Sequence, residues 1–197
     1  MSALLKPLPI FSWEEYESGE RLSEIKHEYV NGQVYAMAGA SANHNRIAGN
    51  IFADLHGKLR GKRCEAFMGH MKLKLDFKKD LLGYYPDVLV ACDPKDKSPH
   101  HRKRPTVIFE VLSRSTERVD KREKLVAYQG IESLEEYVLV EQSTMRITIH
   151  RRANHWKAEV IEGAKASLKL ESIGISLKLS VIYERVDWDD VETGYPE

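Results

Sequence analysis

One carboxylate in this 197-residue chain stands where chemistry, not packing, would explain it. Glu110 interrupts the apolar run Val107, Ile108, Phe109, Val111, Leu112 in the segment TVIFEVLS. An ionised carboxylate is rarely buried unless it is paired or bound to a metal. Asp87 is the second such residue: it follows Pro86 and opens the apolar run VLVA. Two carboxylates at one end of neighbouring strands, with waters and a substrate phosphate, are the usual means of holding Mg²⁺. Each also has a plain reading, Glu110 turned outward or neutralised by a Lys or Arg, and Asp87 as a turn residue at a strand entry. Together they carry more weight than either alone.

The elements around them read as an alternation of helix and strand. SWEEYESGE is a short helix, with Ser12 as N-cap and Glu15 completing a capping box. HEYVNGQVYAMAG is a hairpin turning at Asn31-Gly32. Residues 43–60 place Ile47, Ile51, Phe52, Leu55 and Leu59 on one face of a helix that Gly61 stops. MKLKLDF alternates as a half-buried strand, whereas YYPDVLVAC and TVIFEVLS read as strands covered on both faces. Residues 116–129 are predicted as a charged helix ending at Gly130. EEYVLVE, MRITIHR and HWKAEVI follow as strands, and LKLSVIYERV as a C-terminal helix. The expected fold is α/β, a mixed central sheet flanked by helices. A single domain over residues 1–197 is expected, its core about 11–185, with a short N-terminal arm and an acidic tail.

Composition narrows the function classes. Thirty basic and thirty acidic residues cancel, which argues against nucleic-acid binding by sheer positive charge but leaves room for a local basic groove. Cys64 and Cys92 are too few for a disulfide framework and lack zinc-site spacing. The opening MSALLKPLPIF does not read as a signal peptide, and no apolar stretch reaches the roughly 18 residues of a membrane span. The cytoplasm is the expected compartment, with no membrane and no small-molecule cofactor.

The blocks HEYVNGQVYAMAGASANHNRIAGNIF, YYPDVLVACDP, FEVLSRSTERVDKREKLVAYQ and LEEYVLVE together resemble the Uma-two-type restriction endonuclease family, a branch of the PD-(D/E)XK nuclease superfamily, from about residue 11 to about 185. The resemblance implies a restriction-endonuclease-like fold and a DNA endonuclease dependent on Mg²⁺ or Mn²⁺. It implies Asp87, Glu110 and Lys124 as catalytic residues, with Asp87, Glu110 and Glu28 as metal ligands. Leu112 departs from the superfamily pattern, which has a lysine two residues after the glutamate. Lys124 is the expected replacement and Lys72 the second choice. Asp120, four residues before Lys124, shares its helix face and could pair with it, at the surface in the plain reading. Tyr128 is expected to pack against the sheet. His44, opening the long helix, is expected to touch substrate phosphate. Arg102, Lys103 and Arg104, within HHRKR, are expected on a loop beside the site, contacting the phosphate backbone. A homodimer would suit cleavage of both strands. The rival reading is a decayed or partner-dependent nuclease fold acting in nucleic-acid binding or regulation, favoured by Leu112.

Overall fold

A computed structural model describes residues 9–77, 80–113 and 116–189 of the chain. The first helix, α1 (Trp13–Glu20), begins at Ser12 with a complete capping box, the Ser12 side chain and Glu15 each satisfying the other's backbone N–H. Strands β1 (His27–Val30) and β2 (Gln33–Ala36) form the expected hairpin. Its two turn residues, Asn31 at φ 49° and Gly32 at φ 93°, both take the left-handed conformation that a tight two-residue turn requires.

Helix α2 (Ala42–Leu59) starts one residue earlier than its apolar spacing suggests, because the Ser41 side chain caps the His44 N–H. Strands β3 (Glu65–Met68), β4 (Lys72–Phe77), β5 (Asp80–Tyr84), β6 (Val88–Ala91), β7 (His101–Arg102) and β8 (Pro105–Val111) follow. The predicted helix over residues 116–129 proves to be a π-helical stretch, Val119–Lys124, that continues into α3 (Leu125–Gln129). Beyond it lie β9 (Glu136–Val140), β10 (Arg146–Arg151), β11 (Ala158–Glu162), β12 (Ser167–Leu170), β13 (Ile175–Lys178) and the single turn α4 (Leu179–Ile182). The C-terminal helix is thus much shorter than expected. Ile175, Leu177 and Leu179 are buried in strict alternation with exposed neighbours, a period of two that belongs to a strand.

Two larger sheets result, one ordered β2-β1-β5-β4-β7 and the other β11-β10-β9-β8-β6-β3. The second is mixed, since β8 and β9 run parallel while its remaining pairs are antiparallel. One face of it, with Val88, Val90, Val107, Phe109 and Val111, packs under α2, α4 and the β12–β13 hairpin. The opposite face, with Leu89, Ile108, Leu112, Tyr137 and Leu139, packs against Leu73, Leu75, Leu82 and Tyr84 of the first sheet and Tyr128 of α3. Burial on both faces explains why β6 and β8 read as unbroken apolar runs.

The two cysteines do pair: Cys64 and Cys92 form one disulfide just outside the β3–β6 ladder, whose last register pair is Glu65 with Ala91. A pair too small to be a framework is still placed, by that ladder, at bonding distance. No helix among the described residues is long and apolar enough to cross a membrane.

Candidate active site

Strands β6 and β8 pair antiparallel with Val88 opposite Phe109, so Asp87 and Glu110 are the next residues along the two chains. Alternation puts both on the face that looks toward the first sheet, beside Leu89 and Ile108. The strand-end meeting of the two carboxylates is therefore dictated by register.

Asp87 is pinned from two sides. Its Oδ2 accepts the Val111 N–H at 2.7 Å and lies 3.2 Å from Nε2 of His44, at the start of α2. Burial works to lower the His44 pKa, but the hydrogen bond and charge of Asp87 outweigh it, and the net shift is upward. The start of α2 is tied to the same strand end by a relay. The Ser41 hydroxyl donates to Gln142 Oε1, and Gln142 Nε2 donates to the Leu112 carbonyl.

Glu110 is buried. Its Oε1 accepts from Lys124 Nζ at 3.2 Å and from the Tyr128 hydroxyl at 3.0 Å. Lys124 also stands 3.2 Å from Glu28 of β1 and 3.1 Å from Asp120. One ammonium thus gathers three carboxylates from three elements, with 6% of its side chain exposed. Burial alone would lower the lysine pKa; Glu110, Glu28 and Asp120 together hold it well above the ordinary value. Burial raises Glu110 well above the usual carboxylate range, aided by the charges of Asp120, Asp87 and Glu28 and opposed by Lys124. The Asp120–Lys124 pair is therefore internal, not the solvated surface bridge of the plain reading. Tyr128 packs, as its apolar ring demands, and also donates to Glu110. Tyr137 extends the network by donating to the Asp120 carbonyl at 3.0 Å.

Glu28 reaches the acidic cluster, but its partner here is Lys124. Lys72 is excluded from it: this buried ammonium is surrounded by the rings of Tyr16 (4.3 Å), Trp13 (5.5 Å) and Tyr85 (5.6 Å). Leu112 lies inside the apolar cluster between the sheets, so the position of the superfamily lysine is filled by packing.

The basic run is not gathered beside the acids. Its loop joins the far end of β6 to the start of β8, and Arg104 precedes Glu110 by six extended residues, about 20 Å. Arg104 instead pairs with Asp93 at 2.8 Å. The Arg102 guanidinium lies over Phe67 and donates to the Ser98 and His101 carbonyls, while the backbone N–H groups of Lys103 and Arg104 bind Asp96. For Lys103 and Arg104 the expectation of a basic loop adjoining the site fails on strand polarity, because the loop leaves β6 at the end opposite Asp87, whereas Arg102 returns to Phe67, the partner of Leu89.

A residue that the sequence reading passed over stands nearer. Lys26, two before Glu28, donates from Nζ to the Gly69 carbonyl at 2.8 Å. Its signal was the period-two spacing from Glu28.

The donor set suits a hard divalent cation in chemistry, since Asp87 and Glu110 are oxygen ligands on one face and Mg²⁺ is commonly held by one or two carboxylates plus waters and phosphate. Among the described residues no group of three or more His, Cys, Asp or Glu side chains is arranged to hold a metal ion, and the three carboxylates that do converge meet on Lys124. A cation here would be held by the Asp87–Glu110 pair, while Lys124 faces Glu110, Glu28 and Asp120.

Residues 13–181 match the model of the Uma2 family, described as "Putative restriction endonuclease". The chain belongs to the Uma2 family. Two uncharacterized proteins of Synechocystis sp. (strain PCC 6803) are similar along most of their length. The protein slr1290 is 36% identical over 179 residues, covering 90% of this chain and 93% of its own. The protein sll1609 is 32% identical over 171 residues, covering 84% and 96%. Among solved structures, a crystal structure of a "putative nuclease belonging to DUF820" from Anabaena variabilis ATCC 29413 superposes with a TM-score of 0.66. It covers 82% of this chain and 91% of that one, at 13% identity, a likeness of fold. The Uma2 match spans every element that carries the acidic cluster, from β1 with Glu28 to the helix with Lys124.

Proposed function

We propose that this Uma2 chain hydrolyses phosphodiester bonds in DNA at the Asp87–Glu110 pair. The observation that carries this reading is their placement: two carboxylates side by side at a strand end, one pinned by a backbone N–H and a histidine, the other by a lysine and a tyrosine. Mg²⁺ or Mn²⁺, bound by Asp87 and Glu110, would lower the pKa of a water and polarise the phosphate. The protein's own groups divide the remaining work. Lys124 is a positioning residue, fixing Glu110 and Glu28 and balancing their charge. Tyr128 holds the same Glu110 oxygen. His44 and the positive end of the α2 dipole present positive potential to a phosphate beside Asp87. Lys103 and Arg104, some 20 Å off along β8, would meet the backbone well away from the cleaved bond. Two copies of the chain would present the two sites that a duplex cut requires.

A decayed or partner-dependent nuclease is the second reading, favoured by Leu112, whose burial closes the position of the usual lysine. Nicking of plasmid DNA with Mg²⁺ or Mn²⁺, by wild type and Glu110→Gln, separates the two. Cutting by wild type that Glu110→Gln abolishes supports hydrolysis. Equal, background-level nicking by both proteins supports the second reading.

A further inference from the structure

We propose that Lys26 supplies the cation that meets the phosphate at the Asp87–Glu110 pair, an inference that rests on the nuclease reading. Three lysines lie around the acidic cluster, and their surroundings separate them. The Lys124 ammonium donates to Glu110 and has carboxylate oxygens of Glu28 and Asp120 within 3.2 Å, so its charge is already compensated inside the cluster. Lys72 is sealed among Trp13, Tyr16 and Tyr85. Lys26 is half-buried; its Nζ donates to a neutral carbonyl, that of Gly69, and lies 5.5 Å from the centre of the Tyr85 ring.

Its direction is fixed by the hairpin. The Met37 N–H donates to the Lys26 carbonyl at 2.9 Å, which extends the β1–β2 ladder back to residue 26. Lys26 and Glu28 then share a face, and Glu28 already points into the cluster. Gly69, which anchors the ammonium, lies against Asp87: a Cβ on Gly69 would stand 3.6 Å from the Pro86 carbonyl oxygen and 3.7 Å from that of Asp87. Burial lowers the Lys26 pKa, opposed by the charges of Glu20 and then Asp87. The ammonium is therefore anchored to the backbone that packs against Asp87, the more open of the two carboxylates, and its hydrogen bond there leaves N–H groups for an anion. This is the place that the absent lysine at Leu112 would otherwise serve.

The test measures binding and cleavage separately. In the cleavage-dead Asp87→Asn background, anisotropy of a labelled DNA duplex is followed over a range of salt, with Lys26, Lys26→Met or Lys26→Arg. Loss of one phosphate contact lowers the slope of log affinity against log salt by about 0.9. That drop is expected for Lys26→Met and not for Lys26→Arg. In the otherwise wild-type protein, Lys26→Met is expected to lower kcat by roughly 100-fold with little change in KM, and Lys26→Arg to restore part of it. A wild type that binds and cuts DNA, with slope and kcat unchanged in Lys26→Met, overturns the proposal. A shift in melting temperature alone, without either change, assigns Lys26 a structural role and overturns it too. A wild type that neither binds nor cuts DNA overturns the nuclease reading, and the assignment of Lys26 falls with it.

Discussion

Glu28 and Glu110 stand on different sheets, and each places a carboxylate oxygen 3.2 Å from the same Lys124 ammonium. The acidic cluster is therefore part of the seam between the sheets as well as a candidate site. Chemistry and stability are coupled through one cation.

Lys124→Met tests that coupling. Removing the cation leaves Glu28, Glu110 and Asp120 facing one another without compensation, and breaking a buried ion pair in this way costs about 3–5 kcal/mol. Glu110, whose pKa is already raised well above the usual carboxylate range, takes up a proton as pH falls, and the deficit shrinks. Urea unfolding of wild type and variant is expected to diverge more at about pH 8 than at about pH 5. A pH-independent difference would mean that the cluster is not held by charge.

Tyr128→Phe keeps the packing and deletes one donor to Glu110. A hydrogen bond to a charged group contributes about 1.5–3 kcal/mol. The loss is expected in that range, and the Glu110 pKa, already raised, is expected to rise further. Carboxyl chemical shifts followed through a pH titration would read both proteins. An unchanged Glu110 midpoint would remove Tyr128 from the site.

His44 and Asp87 predict a second pH dependence, of opposite sense. The folded pKa of His44 lies above its ordinary value, so the pair contributes stability below the ordinary histidine value and loses it as pH rises through the folded value. The difference in unfolding free energy between wild type and Asp87→Asn should be larger at about pH 6 than at about pH 9. Imidazole NMR titration should show the His44 midpoint fall in Asp87→Asn. A midpoint that stays put would mean that Asp87 does not hold the ring.

Leu112→Lys restores the residue of the superfamily pattern but is not expected to restore its role. The position lies in the apolar cluster between the sheets, and a charge buried there should cost more than about 2 kcal/mol. Lower stability with no gain in cleavage is the expected outcome. A gain in cleavage would show that the lysine can reach the acids from residue 112.

Much of this was legible in the chain because local rules and tertiary demands coincide. Ser12 with Glu15, the Asn31-Gly32 turn and the apolar face of residues 43–60 each have one backbone solution that also buries the right side chains. Asp87 and Glu110 were legible for the opposite reason, as carboxylates in runs that packing would fill with apolar groups. What could not be read was direction. Nothing local shows that the loop bearing Arg102 and Arg104 leaves the sheet at the end away from Asp87; that follows from strand polarity. The stretch ending in LKLSVIYERV is apolar enough for either period, and burial in the β12–β13 hairpin decides for two. Lys26 was hidden because its meaning depends on Gly69, which a different strand pair brings to it.

The most direct measurement of the central claim is cleavage of supercoiled plasmid and single-stranded DNA by wild type and Asp87→Asn, each with Mg²⁺, with Mn²⁺ and with EDTA. The account predicts metal-dependent cutting by wild type that falls at least about 100-fold in a folded Asp87→Asn protein. Cutting that survives in Asp87→Asn, or its absence from wild type on both substrates, would contradict it.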